Sequence, residues 1–169
     1  VYLAGFAIGQ LVSGPLVDVF GRRPLLLGGM VLLAAASAVC IFAPSIESLT
    51  AARFLQALAV SVGQVAGRAV IRDTHGPADT ARMLAFTMVV IGLTSAITPV
   101  LGGFLAVWVG WEIVFAIHVA FALIFFVLIW RRFVETIPVR ETLSRQVAVT
   151  RQGIVRLVAD RTFLSYTAS

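Results

Sequence analysis

Five positions along one stretch of the chain have the residue types for binding chemistry. They fall on one face if the stretch is helical, because successive residues of an α-helix turn by about 100°. These positions are Arg53, Gln56, Gln64, Gly67 and Arg68. Guanidinium and amide groups donate hydrogen bonds to acceptors and anions. We predict that Arg53, Gln56 and Gln64 line a pathway for a substrate or for protons; the alternative is that the arginines reach opposite aqueous boundaries while the glutamines bridge helices.

A second candidate is the charged segment GPLVDVFGRR, residues 14–23, which lies between two uncharged runs. Asp18 is a lone carboxylate that gains most if it meets a cation or a helix N-terminus from elsewhere in the fold. Arg68 is one cation that could pair with Asp18. Arg22 and Arg23 are suited to bind lipid phosphates or acidic groups on a neighbouring helix pair.

Small residues form a third pattern, which concerns packing. Small side chains let membrane helices approach closely, and we expect this at Gly14 and Gly21. In a later apolar run, Pro99 removes one backbone hydrogen bond and is expected to bend the helix. The small residues of that run are Gly92, Ser95, Pro99, Gly102, Gly103 and Ala106. A pivot for a moving half of the protein and ordinary membrane packing would both produce this stripe.

Membrane-spanning helices are the elements that must position these residues. The 169 residues are 60% hydrophobic and 12% charged, whereas soluble domains carry about 25% charged residues. A helix needs about 20 mostly apolar residues to cross the hydrocarbon layer, and a cleavable signal peptide explains one such run but not five. The predicted helices are residues 1–17, 24–43, 50–71, 83–108 and 111–130. The sequence therefore predicts an all-α membrane protein.

The arginines set the predicted orientation. All 13 basic residues are arginine, and they collect in the connections 18–23, 72–82 and 131–162, apart from those within helices. The opposite connections, 44–49 and 108–112, carry none. The positive-inside rule then places the arginine-bearing connections in the cytoplasm. Segregation by alternate loops also favours a membrane role over nucleic-acid binding for the net positive charge.

Residues 131–162 are the longest polar stretch and are predicted to be a central cytoplasmic loop. Within it, Ile154, Leu157 and Val158 share one helical face, which indicates a basic amphipathic helix on the anionic lipid surface; a partly disordered linker is the alternative. Residues 163–169 are predicted to begin another membrane helix. We interpret the chain as an interior piece of a longer protein.

Residues 14–24 resemble motif A of the major facilitator superfamily, written G-x-L-a-D-r-x-G-r-[kr]-x. That motif joins the second and third of twelve helices on the cytoplasmic side. The resemblance implies that Asp18, Arg22 and Arg23, with Gly14 and Gly21, latch a cytoplasmic gate while the transporter faces outward. Valine stands where the family has a basic residue after the aspartate, which implies that one contact of the motif is missing.

Two further motifs follow in the family's order. Residues 53–56, Arg-Phe-Leu-Gln, are similar to motif B (R-x-x-Q-g) of its fourth helix. Residues 99–103, which include Pro99, Gly102 and Gly103, resemble the end of motif C (G-P-x-x-G-G), associated with antiporters, although Thr98 replaces its glycine. The segment 6–18, the pair at 72–73 and the pair at 82–83 resemble the Bcr/CflA-type drug resistance branch.

The resemblance implies a fragment holding helices two to six of the N-terminal six-helix half, the central loop and the start of helix seven. It implies a multi-pass protein of the bacterial inner membrane that exports drug-like small molecules in exchange for protons by alternating access. The implied partners are substrate, protons, membrane lipids and the C-terminal half of the same transporter.

Other functions remain as alternatives or find no support in the residues. An importer of a sugar or an organic acid would share the fold and motif A, and a non-transporting scaffold could use the same bundle. The sequence has no cluster of metal ligands, no phosphate-binding loop and no nucleophile elbow, so we expect no enzymatic activity, no cofactor and no metal. No acidic residue lies deep in a predicted helix, so proton coupling is not assigned to a residue here.

Overall fold

A computed structural model describes residues 1–135, and this part of the chain consists of helices joined by short connections, with no strand. The helices are α1 (Tyr2–Phe20), α2 (Arg22–Ile41), α3 (Ile46–Thr74), α4 (Pro77–Trp108) and α5 (Glu112–Arg132). All five are long and apolar enough to cross a membrane. The all-α membrane fold is therefore confirmed. The predicted amphipathic helix and residues 163–169 lie outside the described residues.

Two glycines of α1 bring this helix against α3. A Cβ built on Gly5 would lie 2.8 Å from the backbone oxygen of Phe54, and one on Gly9 would overlap the side chain of Ser61. The glycines are four residues apart and therefore share one helical face. The close approach expected at Gly14 is not made by the described residues, since a Cβ built there has no neighbour within 4 Å.

Helix α2 packs between α3 and α5, whereas α4 touches only α3 and α5 and has no buried residue among those described. Pro99 lies inside α4. Cβ atoms built on Gly102 and Gly103 meet nothing within 4 Å. The small-residue stripe of α4 therefore faces none of the other described helices.

The connection predicted at residues 44–49 is mostly helical. The hydroxyl of Ser45 accepts a hydrogen bond from the Ser48 backbone N–H, and the Ser48 hydroxyl accepts one from the Ser45 N–H, each at 3.2 Å. This reciprocal capping box satisfies two backbone donors and starts the helix. α3 therefore begins at Ile46, four residues before its predicted start, and Arg53 lies about 10 Å along the helix axis from that first residue.

The connection predicted at residues 72–82 is a tight corner between two long helices. α3 continues to Thr74, and α4 begins at Pro77, a first-turn position where proline is well tolerated. Helices of 29 and 32 residues measure about 44 and 48 Å, which exceeds a hydrocarbon layer of about 30 Å. Helices of these lengths are long enough to continue past the lipid, and the charged residues near this corner do not interrupt them.

Candidate functional site

A line of hydrogen bonds joins the middle of the bundle to Arg53. Gln56 of α3 is 1% exposed, and its Nε2 donates to Ser37 Oγ of α2 at 2.8 Å. Arg53 Nη1 donates to Gln56 Oε1 at 2.9 Å. Both polar ends of the Gln56 amide are therefore satisfied away from water, which buried amides require. The structure thus brings Arg53 and Gln56 together, as their three-residue spacing predicted.

Two aromatic rings flank the Arg53 guanidinium. Its central carbon lies 5.0 Å from the ring centroid of Tyr2 on α1 and 5.4 Å from that of Phe115 on α5. At such distances the ring quadrupoles attract the cation. Residues from α1, α3 and α5 therefore meet at Arg53, and Gln56 extends the contact to α2. Sequence reasoning missed both rings because no local spacing relates them to α3.

Gln64 belongs to a separate cluster between α1 and α3. Its Oε1 accepts hydrogen bonds from Gln10 Nε2 at 3.3 Å and from Arg68 Nη2 at 2.8 Å. Eight residues separate Gln56 from Gln64, about 12 Å along the helix. Arg68 therefore binds Gln64, and no described contact joins it to Asp18. The sequence did signal Gln10, as an amide inside an otherwise apolar run.

One further polar contact supports the α1–α3 packing. The hydroxyls of Ser13 and Ser61 lie 3.4 Å apart, and the Ser61 hydroxyl donates to the backbone oxygen of Leu58 at 2.7 Å. Both serines are buried. Together with the Gln10–Gln64 contact, this pair shows the glutamines and serines bridging helices, which was the alternative to a pathway lining. A residue that bridges helices can also border a pathway, so both functions remain compatible with these contacts.

The opposite end of α3 takes part in a charged corner, by which we mean Asp18, Arg22, Arg23, Asp73 and Glu135. Arg22 is 8% exposed and donates from Nε to Asp73 Oδ2 at 2.9 Å. Its Nη1 lies 3.5 Å from Asp18 Oδ1. The Asp18 side chain is 59% exposed and that of Asp73 is 30% exposed. Exposed ion pairs contribute little, so Asp73 is the stronger partner of Arg22.

Glu135 binds the N-terminus of α2. Its Oε1 and Oε2 accept hydrogen bonds from the backbone N–H groups of Arg22 and Arg23, each at 3.0 Å. The preceding Gly21 has φ 90°, and a Cβ there would lie 2.8 Å from Glu135 Oε2. Glycine is therefore favoured by the backbone angle, and a side chain here would displace the Glu135 carboxylate. We predicted that Asp18 would meet a cation or a helix N-terminus from elsewhere in the fold. The N-terminus of α2 is occupied by Glu135, which is distant in sequence and lies in the predicted loop 131–162. A cation that does pair with Asp18 is the nearby Arg22.

The side chain of Arg23 ties the corner to α5. Its Nη2 donates to the backbone oxygen of Trp130 at 2.7 Å, in the last turn of that helix. Such an oxygen has no partner within its own helix and attracts a cation. The predicted motif A residues Asp18, Gly21, Arg22 and Arg23 thus meet in one place, whereas Gly14 contributes no close contact. Pro99, Gly102 and Gly103 lie apart from both the corner and Arg53.

Chemically, the described side chains at these sites bind their partners through hydrogen bonds, ion pairs and contacts of a cation with aromatic rings. The guanidinium of Arg53 offers five N–H donors and no acceptor. The charged corner is a set of ion pairs and helix-end contacts that joins α1, α2, α3 and the exit of α5. Among residues 1–135 there is no group of three or more His, Cys, Asp or Glu side chains arranged to hold a metal ion.

Comparison with known proteins identifies what these features are similar to. A family model described as Major Facilitator Superfamily matches residues 1–168. A Bacillus subtilis protein named "Uncharacterized MFS-type transporter YdgK" is 32% identical over 166 residues, which cover 97% of this chain and 41% of the relative.

Two other relatives carry names that refer to resistance. The "Chloramphenicol resistance protein CraA" of Acinetobacter baumannii is 32% identical over 159 residues, 94% of this chain and 36% of the relative. The "Bicyclomycin resistance protein homolog" of Haemophilus influenzae is 30% identical over 129 residues, 73% of this chain and 32% of the relative. The chain spans less than half the length of each of these three proteins.

Proposed function

The chain belongs to the major facilitator superfamily, and from this membership and the Arg53 site we propose that the full-length protein exports a drug-like small molecule in exchange for protons. We place it in the Bcr/CflA-type branch and in the bacterial inner membrane, with the arginine-bearing connections in the cytoplasm. The names of the Acinetobacter and Haemophilus relatives support an export substrate of the antibiotic type.

The observation that carries the proposal is the way Arg53 is held. Charged residues within membrane helices are costly and usually mark a substrate or ion pathway. The Arg53 guanidinium has aromatic rings on two neighbouring helices and a buried amide as its hydrogen-bond acceptor. These contacts stabilise the cation without neutralising it, so its charge stays available to a substrate or to an acidic group in the rest of the protein.

Proton coupling then needs a titrating group that approaches a fixed charge. We propose that the guanidinium of Arg53 favours the ionised form of a carboxylate nearby. Protonation of that carboxylate would release it from Arg53 and permit the site to reopen on the other side. Alternating access in this class of fold moves two helical bundles around a site near the bilayer midplane.

The charged corner supplies the second element of the proposed cycle. It lies about 30 Å from Arg53, since 20 residues separate Arg53 from Asp73 along α3. A latch at that distance does not contact a substrate at Arg53, and it can open and close as a separate structure. We propose that Asp18, Gly21, Arg22 and Arg23 hold this end shut while the site faces outward.

The test measures transport by the full-length protein in cells that lack their other drug exporters. Chloramphenicol is the first substrate to try, because a relative is named for resistance to it. We expect the protein to lower chloramphenicol accumulation and the protonophore CCCP to abolish this effect. Liposomes with an imposed pH gradient should show the same dependence.

Arg53→Ala and Arg68→Ala form a matched pair of variants on the same helix. We expect cells with Arg53→Ala to accumulate as much drug as cells without the protein. We expect Arg68→Ala to retain most export, because the described hydrogen bond of Arg68 to Gln64 is exposed. Export that survives CCCP, or full export by Arg53→Ala, would contradict the proposal. Gradient-driven uptake of a sugar or an organic acid instead would favour an importer.

A further inference from the structure

We infer that Glu135 is a positioning residue of the transport cycle. It sets how firmly the charged corner is closed. This inference rests on the proposed function, because it assigns a role within the same gate. It concerns a residue outside the 14–23 segment, three residues beyond the last residue of α5.

The first support is the geometry of the carboxylate. Each of its two oxygens accepts a backbone N–H of the first turn of α2 at 3.0 Å, from Arg22 and from Arg23. Early backbone N–H groups of a helix have no partner within the helix, and negative charge is favoured beside them. Glu135 thus meets both the hydrogen-bonding requirement and the electrostatic one at this helix end.

The second support is the space around Gly21. Its φ of 90° and the 2.8 Å separation between a built Cβ and Glu135 Oε2 show that the carboxylate sits directly against this backbone. A side chain at position 21 would push the carboxylate away. The carboxylate after α5 therefore packs directly on the turn that joins α1 to α2.

The third support is what the contact connects. The side chain of Arg22 binds Asp73 at the end of α3 while its backbone binds Glu135, and the side chain of Arg23 binds the Trp130 carbonyl of α5. Residue 135 leads into the polar stretch that precedes residues 163–169. Glu135 and its two arginine partners thus join the start of α2 to the ends of α3 and α5.

A small apolar cluster at the same end of the bundle offers a buried position for a reporter thiol. Val17, Leu26, Ala66 and Ala69 are buried together, and Ile129 and Phe133 of the α5 end pack against them. Ala69 is 2% exposed. A thiol introduced by Ala69→Cys adds little volume, and because position 69 is buried we expect it to react with a maleimide only when the charged corner opens.

The experiment uses the full-length protein with its native cysteines, including the buried Cys40, replaced by serine and Ala69→Cys added. The rate at which N-ethylmaleimide alkylates the thiol at position 69 is measured in the parent, which keeps Glu135, and in the variants Glu135→Gln and Glu135→Ala. The glutamine has the same size, but it has one acceptor oxygen instead of two and carries no charge. We expect roughly a three- to tenfold faster alkylation in Glu135→Gln, since charge at a helix N-terminus stabilises it modestly, and a larger increase in Glu135→Ala.

Glu112→Gln is the matched control, because Glu112 also lies beside a positive-φ glycine, Gly110, at the other end of the bundle. We expect its alkylation rate to stay within twofold of the parent. An unchanged rate in both Glu135 variants would overturn the inference. Absence of both variants from the membrane, with Glu112→Gln present, would mean that Glu135 is needed for folding and would overturn it as well.

Transport kinetics separate positioning from substrate binding. We expect the maximal efflux rate of Glu135→Gln to fall while the half-saturating drug concentration stays within about twofold, because the Asp73 end of α3, where the charged corner lies, is about 30 Å from Arg53. A changed half-saturating concentration with an unchanged maximal rate would contradict positioning. If the Glu135 variants are alkylated faster but the parent shows no gradient-driven efflux, the role of Glu135 in closure stands. The proposed function alone is then overturned.

Discussion

Among the described residues the side chain of Arg22 pairs with two carboxylates, Asp18 and Asp73, and the structure predicts that the two pairs contribute very unequally. The perturbation is a pair of double-mutant cycles, Arg22→Ala with Asp73→Ala and Arg22→Ala with Asp18→Ala. Each cycle isolates the pairwise free energy from the other contacts of the residues involved. This matters for Arg22, whose Nη1 also donates to the Val17 backbone oxygen at 3.3 Å.

The magnitudes follow from distance and exposure. The Arg22 Nε to Asp73 Oδ2 contact is 2.9 Å, and the two side chains are 10% and 30% exposed. A charged hydrogen bond of this kind is worth about 1.5–3 kcal/mol. The contact to Asp18 is 3.5 Å, with the acid 59% exposed, so water screens it and its coupling should be about 0.5 kcal/mol or less.

The assay is the free energy of unfolding of the full-length protein in mixed lipid–detergent micelles, titrated with SDS. We expect a coupling energy of about 2 kcal/mol for Arg22–Asp73. The small Arg22–Asp18 coupling should disappear between low salt and about 1 M salt, where the Debye length is about 3 Å, whereas most of the Asp73 coupling should persist. Equal couplings, or a larger one for Asp18, would refute the reasoning from burial.

Two further predictions concern the helix contacts around α3. Ser37→Ala removes the acceptor of the buried Gln56 Nε2, so the same assay should show unfolding easier by about 1–3 kcal/mol; no change would mean that water reaches this amide. Gly9→Ala should destabilise by about 1–3 kcal/mol through overlap with Ser61, whereas Gly28→Ala, with nothing within 4 Å of its Cβ, should be neutral or slightly stabilising; equal effects would refute the close α1–α3 approach.

The predicted helix ends show where local reasoning worked and where it failed. Apolar run length identified all five spans, because the hydrocarbon layer imposes that length on any crossing helix. Both ends of α3 and the start of α4 lie outside the predicted bounds, because polar residues there remain helical. The Ser45 and Ser48 capping box was visible in the sequence as two serines three residues apart. We nevertheless predicted a turn at 44–49 and missed the helix start there.

The Arg53 site was half visible in the sequence. Arg53 and Gln56 are three residues apart on one helix, so their contact is local and follows from helical geometry. Tyr2, Ser37 and Phe115 belong to three other helices, and only packing brings them to this place. Spacing within α3 grouped Gln64 with Arg53, whereas the structure pairs it with Gln10 of α1.

By itself, the sequence determined the all-helical membrane fold and the clustering of charge in the connections, because lipid excludes unpaired polar groups wherever a chain crosses it. Tertiary structure alone decided which partner each charge takes. Glu135 rather than Asp18 meets the start of α2, and Asp73 rather than Asp18 binds Arg22 most closely. The physical reason is that ion-pair strength depends on burial and on distances of a few ångströms, which helix packing sets between residues far apart in the chain.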